Sequence, residues 1–205
     1  MQPSLPVFLI FSALLLCGSP SHAASGNAEL ADRLRQGGYV LVMRHASSPA
    51  NPPDAAHADA ANKELERQLD DNGRATAIAM GRALKRLNIP IGKVYSSPTY
   101  RARQTVMLAG LPTPETVTAL GDFGRSMARI QGPGPVQWLQ AKVAEAPATG
   151  RNTLIVTHMP NIAAAFPDAA KDLQDGEALI FKPGGKGKAE LVAAVPITDW
   201  PRMAP

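Results

Sequence analysis

The chain has 205 residues, 21 of them Lys or Arg and 17 Asp or Glu, for a formal charge of +4. That length permits one domain with a sizeable core. The charges are interspersed along the chain rather than clustered, which excludes a nucleic-acid-binding arm or a basic membrane patch. A mildly basic balance is compatible with a small anionic substrate. The single cysteine, Cys17, excludes a disulfide framework.

Val7 to Cys17 is almost unbroken apolar sequence, well short of the ~20 residues that span a bilayer. Breakers at Gly18-Ser19-Pro20 follow, then Ser21-His22-Ala23, a small-x-Ala cleavage pattern. Residues 1–23 are therefore expected to be a signal peptide and 24–205 a single exported domain, periplasmic or secreted. No stable membrane span is expected after cleavage. Leu16, which is not small, precedes Cys17, so a lipoprotein processing site is not indicated and Cys17 belongs to the apolar core of the signal. An exported domain of this size does without disulfides because its core is large enough.

In chain order, Asn27 caps a short helix with Leu30, Ala31 and Leu34 on one face, ended by Gly37-Gly38. Tyr39 to Met43 is a short apolar run without polar alternation, the pattern of a strand buried on both faces of a parallel sheet. Arg44 and His45 stand at its carboxyl end, where open α/β sheets bind ligands. Residues 46–68 read as a long loop, and His57 within it has too few neighbouring ligands for a metal site. From Leu69 to about Leu87 runs a helix with Ala77, Met80, Leu84 and Leu87 at helical spacing. Lys93 to Ser96 is a strand, Thr99 to about Leu108 an arginine-rich helix, and Thr116 to Leu120 a further strand. Gly132 to Pro135 is a turn, followed by a helix marked by Val136, Leu139 and Val143. Asn152 to Thr157 is a second buried strand, ending at His158. Ala178 to Phe181 and Ala189 to Val195 form a hairpin around Gly184 to Gly187. This order predicts a three-layer α/β fold, a mainly parallel sheet with helices on both faces.

Three strands thus end in Arg44-His45, Ser96-Ser97 and Thr157-His158. Together with Ser97-Pro98-Thr99-Tyr100-Arg101-Ala102-Arg103-Gln104-Thr105 and Val156-Thr157-His158, this pattern resembles the histidine phosphatase superfamily, the phosphoglycerate-mutase-like fold. That family carries an Arg-His-Gly motif, a Ser-Ser-Pro-x-x-Arg-Ala-x-Gln-Thr motif and a later strand ending in His. Asn51 falls at the family's Asn, and Leu69 to Ala77 is similar to its Leu-Thr-x-x-Gly-x-x-Gln-Ala helix start, with Asp70 at the Thr position. The resemblance implies that His45 is the nucleophile, forming a phosphohistidine. Arg44, Asn51, Arg101 and His158, if protonated, would be the donors to the phosphoryl group. Such charge-assisted hydrogen bonds are worth roughly 1.5–3 kcal/mol each, and phosphoryl transfer depends chiefly on this positioning and charge stabilisation. No metal or other cofactor is implied. To attack, His45 must be neutral, and the two guanidinium groups should lower its pKa.

Two departures bear on the substrate. Ala46 replaces the family's Gly after the nucleophile, as in the smaller phosphohistidine-phosphatase-like members. Met159 follows His158, where some members place an acid. Asp122 stands where the family's catalytic Glu would be expected, with Glu115 and Glu177 as rivals. The expected activity is that of an exported phosphomonoesterase acting on a phosphorylated sugar or envelope glycan, resembling the exported lipopolysaccharide-core heptose phosphate phosphatases. The alternatives are a phosphohistidine phosphatase, whose imidazole leaving group needs no strong acid, and a phosphate- or phosphoglycan-binding module without turnover. Retention of His45 speaks against the last, since binding alone would need only the arginines.

Overall fold

The computed structural model describes residues 21–49, 64, 66–122, 134–185 and 187–204. Among these, six strands form one sheet: β1 (Val40–Arg44), β2 (Ile91–Ser96), β3 (Glu115–Thr116), β4 (Asn152–Thr157), β5 (Ala178–Gly185) and β6 (Lys188–Val195), in the order β3-β2-β4-β1-β5-β6. The pairs β3–β2, β2–β4 and β4–β1 are parallel, and the closing hairpin β5–β6 joins antiparallel beside β1. The helices are α1 (Ser21–Gln36), α2 (Asp71–Arg86), α3 (Tyr100–Leu108), α4 (Pro135–Val143) and α5 (Met159–Ala165).

The middles of the central strands, residues 40–43 of β1 and 154–156 of β4, are apolar because both of their faces are covered. Successive side chains of a strand point to opposite faces, and the core divides accordingly. Leu41, Met43, Leu154, Val156 and Ile180 pack with α1, α2 and α3 on one side. Val40, Val42, Ile155, Leu179 and Phe181 pack with α4 and α5 on the other. Each fully buried Val, Leu or Ile contributes about 1.5–3 kcal/mol; the buried Asn152 at the start of β4 is accommodated by hydrogen bonds to Tyr39 N–H and the Leu34 carbonyl. The three-layer, mainly parallel arrangement expected from the sequence is the arrangement observed.

Register then sets the site. Arg44 of β1 pairs with Thr157 of β4, and Ser96 of β2 with Val156. The ladder continues one step further, His45 N–H donating to the Thr157 carbonyl (2.9 Å) and Ser97 N–H to the Val156 carbonyl (2.9 Å). His45, Ser97 and His158 therefore leave the sheet side by side.

Three expectations need correction. The strand expected over Thr116 to Leu120 is only Glu115–Thr116 long, and Thr118–Leu120 is a 3₁₀ turn. After Val117 N–H takes the Ser96 carbonyl, the next bonds are local, Leu120 to Val117 and Gly121 to Thr118, and they turn Leu120 into the core. The first helix starts at Ser21 rather than at a cap on Asn27, so it runs through the bond after Ala23. Its core residues, Leu30, Ala31 and Leu34, all lie beyond that bond. Helix α5 went unexpected; it opens directly on His158, with Pro160 in its first turn, a position where the missing N–H costs nothing.

Helix α2 is tied to the loop that carries His45. Asp70 is its N-cap, the carboxylate accepting Gly73 N–H (2.7 Å) and the Ser47 hydroxyl (2.7 Å). Gly73 is required there, because a Cβ would fall on the Ser47 carbonyl oxygen. The residue at the family's Thr position thus caps the helix and clamps the strand-end loop. Asp70→Ala should destabilise the protein by about 1–2 kcal/mol, read as a shift in the midpoint of denaturant unfolding. An unchanged midpoint would show that the clamp is dispensable.

Candidate active site

At the carboxyl ends of β1, β2 and β4 a cavity of about 340 Å³ is lined by Arg44, His45, Arg67, Arg101, Asp122 and His158, among others. His45 is 4% exposed. Its Nδ1 lies 2.8 Å from the Ala46 carbonyl. A carbonyl only accepts, so Nδ1 carries the proton and Nε2 presents a lone pair. Into that lone pair Arg101 Nε donates (3.2 Å). Arg101 Nη2 also donates to Asp122 Oδ2 (3.0 Å) and to His158 Nδ1 (3.1 Å). His158 then carries its proton on Nε2 and donates it to the Ser97 hydroxyl (2.9 Å). The two imidazole rings meet edge-on with centroids 5.3 Å apart.

Both histidines are held neutral. Burial, followed by the Arg101 charge, lowers the His45 pKa to about 3. The same two causes hold His158 well below the usual histidine range. Neutrality suits a nucleophile at His45. The arginine effect expected from sequence is present, but desolvation leads it. At His158 neutrality means that the second donor nitrogen expected on protonation is instead an acceptor for Arg101.

The supporting residues explain why the motif types recur together. Thr105 Oγ1 accepts the Ala46 N–H (3.1 Å), fixing the residue after His45, and Gln104 Oε1 accepts Leu69 N–H (2.8 Å). These two side chains hold backbone, not substrate. Helix α3 has no side-chain cap of its own; the buried Glu66 carboxylate accepts Tyr100 N–H and so anchors the turn that bears Arg101. Burial raises the Glu66 pKa. Arg44 is held by Asp175 (2.7 Å) and the Leu173 carbonyl (3.1 Å). Arg44 Nε and the Ser48 hydroxyl, both on cavity-lining residues, are buried without a hydrogen-bond partner among the described residues.

The structure brings together five of the residues expected from sequence: Arg44, His45, Arg101, Asp122 and His158. Asn51 lies outside the described residues. Glu115 pairs with Lys93 (3.1 Å), and Glu177 accepts Gln174 N–H (2.8 Å); neither is among the residues lining the cavity. Arg67, Ser48 and Asp175 line it and were not singled out. Arg67 follows Glu66 two residues before the buried Leu69, and that adjacency to the α2 cap was the only available signal. Among the described residues no group of three or more His, Cys, Asp or Glu is arranged to hold a metal ion.

The buried neutral His45 makes stability pH-dependent. Unfolded, it takes up a proton near pH 6.5; folded, it does so only near 3. Its contribution is therefore complete above pH 6.5 and is lost as the pH falls through that window. The slope is up to roughly 1.4 kcal/mol per pH unit for one such histidine. Denaturant midpoints of His45→Gln should fall less steeply than those of the wild type below pH 6.5. Superimposable curves would contradict the neutral, desolvated state.

Residues 40–124 match the profile of the histidine phosphatase superfamily (branch 1). No curated protein matches the sequence. Among solved structures, the protein histidine phosphatase SixA complexed with tungstate is similar in fold at 20% identity and TM-score 0.56, over 78% of this chain and 98% of that one. The proposed phosphohistidine phosphatase SixA from Nakamurella multipartitia is similar at 22% identity and TM-score 0.54, over 77% and 94%. Its counterpart from Agrobacterium tumefaciens is similar at 16% and 0.54, over 78% and 98%. At these identities the likeness concerns the fold. The profile covers the stretch that bears Arg44, His45, Arg101 and Asp122, and the fold carries His158 into the same cavity.

Proposed function

We propose that the chain is an exported phosphomonoesterase that cleaves the phosphate ester of an alcohol, such as a phosphorylated sugar or envelope glycan, through a phosphohistidine at His45. One observation carries the choice of an alcohol leaving group: the Asp122 carboxylate lies within the cavity, 3.0 Å from the arginine that contacts the nucleophile. An alkoxide needs a proton as it departs, and a positioned acid supplies about 10²–10⁴ in rate.

In this reading the phosphoryl oxygens draw on Arg44, Arg67, Arg101 and the Ser48 hydroxyl. The otherwise unsatisfied Arg44 Nε and Ser48 Oγ gain the partner that buried polar atoms normally have. As Arg101 turns from the His45 lone pair to an oxyanion, Nε2 is released to attack. The phosphoryl charge arriving beside Asp122 favours its protonated form. His45 Nε2 bonds to phosphorus, the ester P–O bond breaks, and Asp122 gives its proton to the leaving oxygen. A water then attacks the phosphohistidine, Asp122 takes its proton, and inorganic phosphate and neutral His45 are regenerated.

A second reading is hydrolysis of a protein phosphohistidine. Two observations favour it: the fold likeness to the SixA structures, and the ion pair that occupies Asp122 with Arg101, since imidazole leaves without an acid. Support for the export half of the first reading is the apolar run and the Ser21-His22-Ala23 pattern. Mass measurement of the protein from a native-like host should give an amino terminus within a residue or two of Ala24. A retained Met1 would favour the phosphohistidine reading.

The two readings part at Asp122. Asp122→Asn should slow an alkyl or sugar phosphate by about 10²–10⁴ and barely change an aryl phosphate, whose phenolate is a stable leaving group. Equal loss on both substrates, or no loss on either, removes Asp122 as the acid. A phosphohistidine peptide turned over far faster than any sugar phosphate would select the second reading.

A further inference from the structure

Asn161 lies three residues after His158 on α5, 3% exposed, and is not among the residues lining the cavity. Its Nδ2 is within hydrogen-bonding distance of three acceptors: the Gly121 carbonyl (2.8 Å), the Thr157 hydroxyl oxygen (2.9 Å) and the Leu120 carbonyl (3.1 Å). The Thr157 hydroxyl donates its own proton to the Leu120 carbonyl (2.9 Å). The two carbonyls are those of the end of the 3₁₀ turn, immediately before Asp122. They have left the sheet ladder, and a buried carbonyl must find a donor elsewhere. Thr157 is the last residue of β4, directly before His158. One small amide therefore joins the strand that delivers His158 to the turn that delivers Asp122.

We infer that Asn161 is a positioning residue: it fixes the end of the 3₁₀ turn so that the Asp122 carboxylate meets Arg101 Nη2 at the active site. The side chain suits the task, because an amide NH₂ supplies two donors on one atom and a short stem loses little freedom. Aspartate at this position would set an acceptor against two carbonyls and a hydroxyl that is already spent as a donor. The inference rests on Asp122 having a role in turnover, and it extends that role to a residue that touches no substrate.

The test is a double-mutant cycle in the full chain, measuring kcat and KM on one alkyl phosphate and one aryl phosphate. Asn161→Ala should reduce kcat for the alkyl phosphate by roughly 10- to 100-fold, the scale of a misplaced catalytic group. In an Asp122→Asn background it should cause no further loss, because residues acting through one another are not additive. The same fold-loss in both backgrounds overturns the inference. So does an undiminished kcat in Asn161→Ala. Should Asn161→Ala fail to fold, Thr157→Val, which removes the hydroxyl shared with the Leu120 carbonyl, reads the same coupling to Asp122. Failure of the acid assignment is read separately. If Asp122→Asn hurts both substrates alike, the acid role is lost, while non-additivity with Asn161 still upholds the positioning role through Arg101.

Discussion

The site depends on where one guanidinium is held. Arg101 is 3% exposed, and its nitrogens reach His45, His158 and Asp122 at once. Burying such a charge has a desolvation cost of several kcal/mol, offset only when geometry and partners are good. The Asp122 carboxylate, itself 4% exposed, is a compensating charge in contact with it. The surrounding details serve this arrangement: Glu66 anchors the first turn of α3, Thr105 fixes the residue after His45, and Asn161 secures the turn before Asp122. An oxyanion that draws Arg101 toward itself would change the environment of His45 and Asp122 in one motion.

The placement of that guanidinium follows from the sheet. β1 and β4 are neighbours, in a register that puts Arg44 opposite Thr157, and β2 flanks β4 on its other side. Chemistry therefore gathers at three adjacent carboxyl ends, as expected for an open α/β sheet. Apolar residues through the middles of β1 and β4 and polar ones at their carboxyl ends are two aspects of one pattern. Burial on both faces keeps charge out of residues 40–43 of β1 and 154–156 of β4, and the ionisable side chains of the site stand just beyond them.

That pattern is why so much was legible in the sequence. An apolar run marked β1, the stretch from Asn152 to Thr157 marked β4, and Ala77, Met80 and Leu84 marked the inner face of α2. Asp122 was reached through family spacing rather than through any local signal. What stayed hidden depended on contacts between distant segments. Thr116 to Leu120 has strand-like composition, yet the chain leaves the ladder after Val117 to bury Leu120. Arg67, Ser48 and Asp175 read as ordinary polar loop residues, because nothing nearby in sequence says that their loops converge on β1. Asn161 reads as a neutral polar residue at a helix start. Its importance lies in two carbonyls some forty residues earlier.

The central claim is that His45 itself carries the phosphoryl group. It is tested by rapidly quenching the enzyme at neutral pH during turnover of an aryl phosphate and locating the label by phosphorus NMR and peptide mass spectrometry. A transient phosphoryl group on Nε2 of His45, absent from His45→Ala, is the expected result. Full turnover by His45→Ala, or a phosphoryl group found on a different residue, would contradict it.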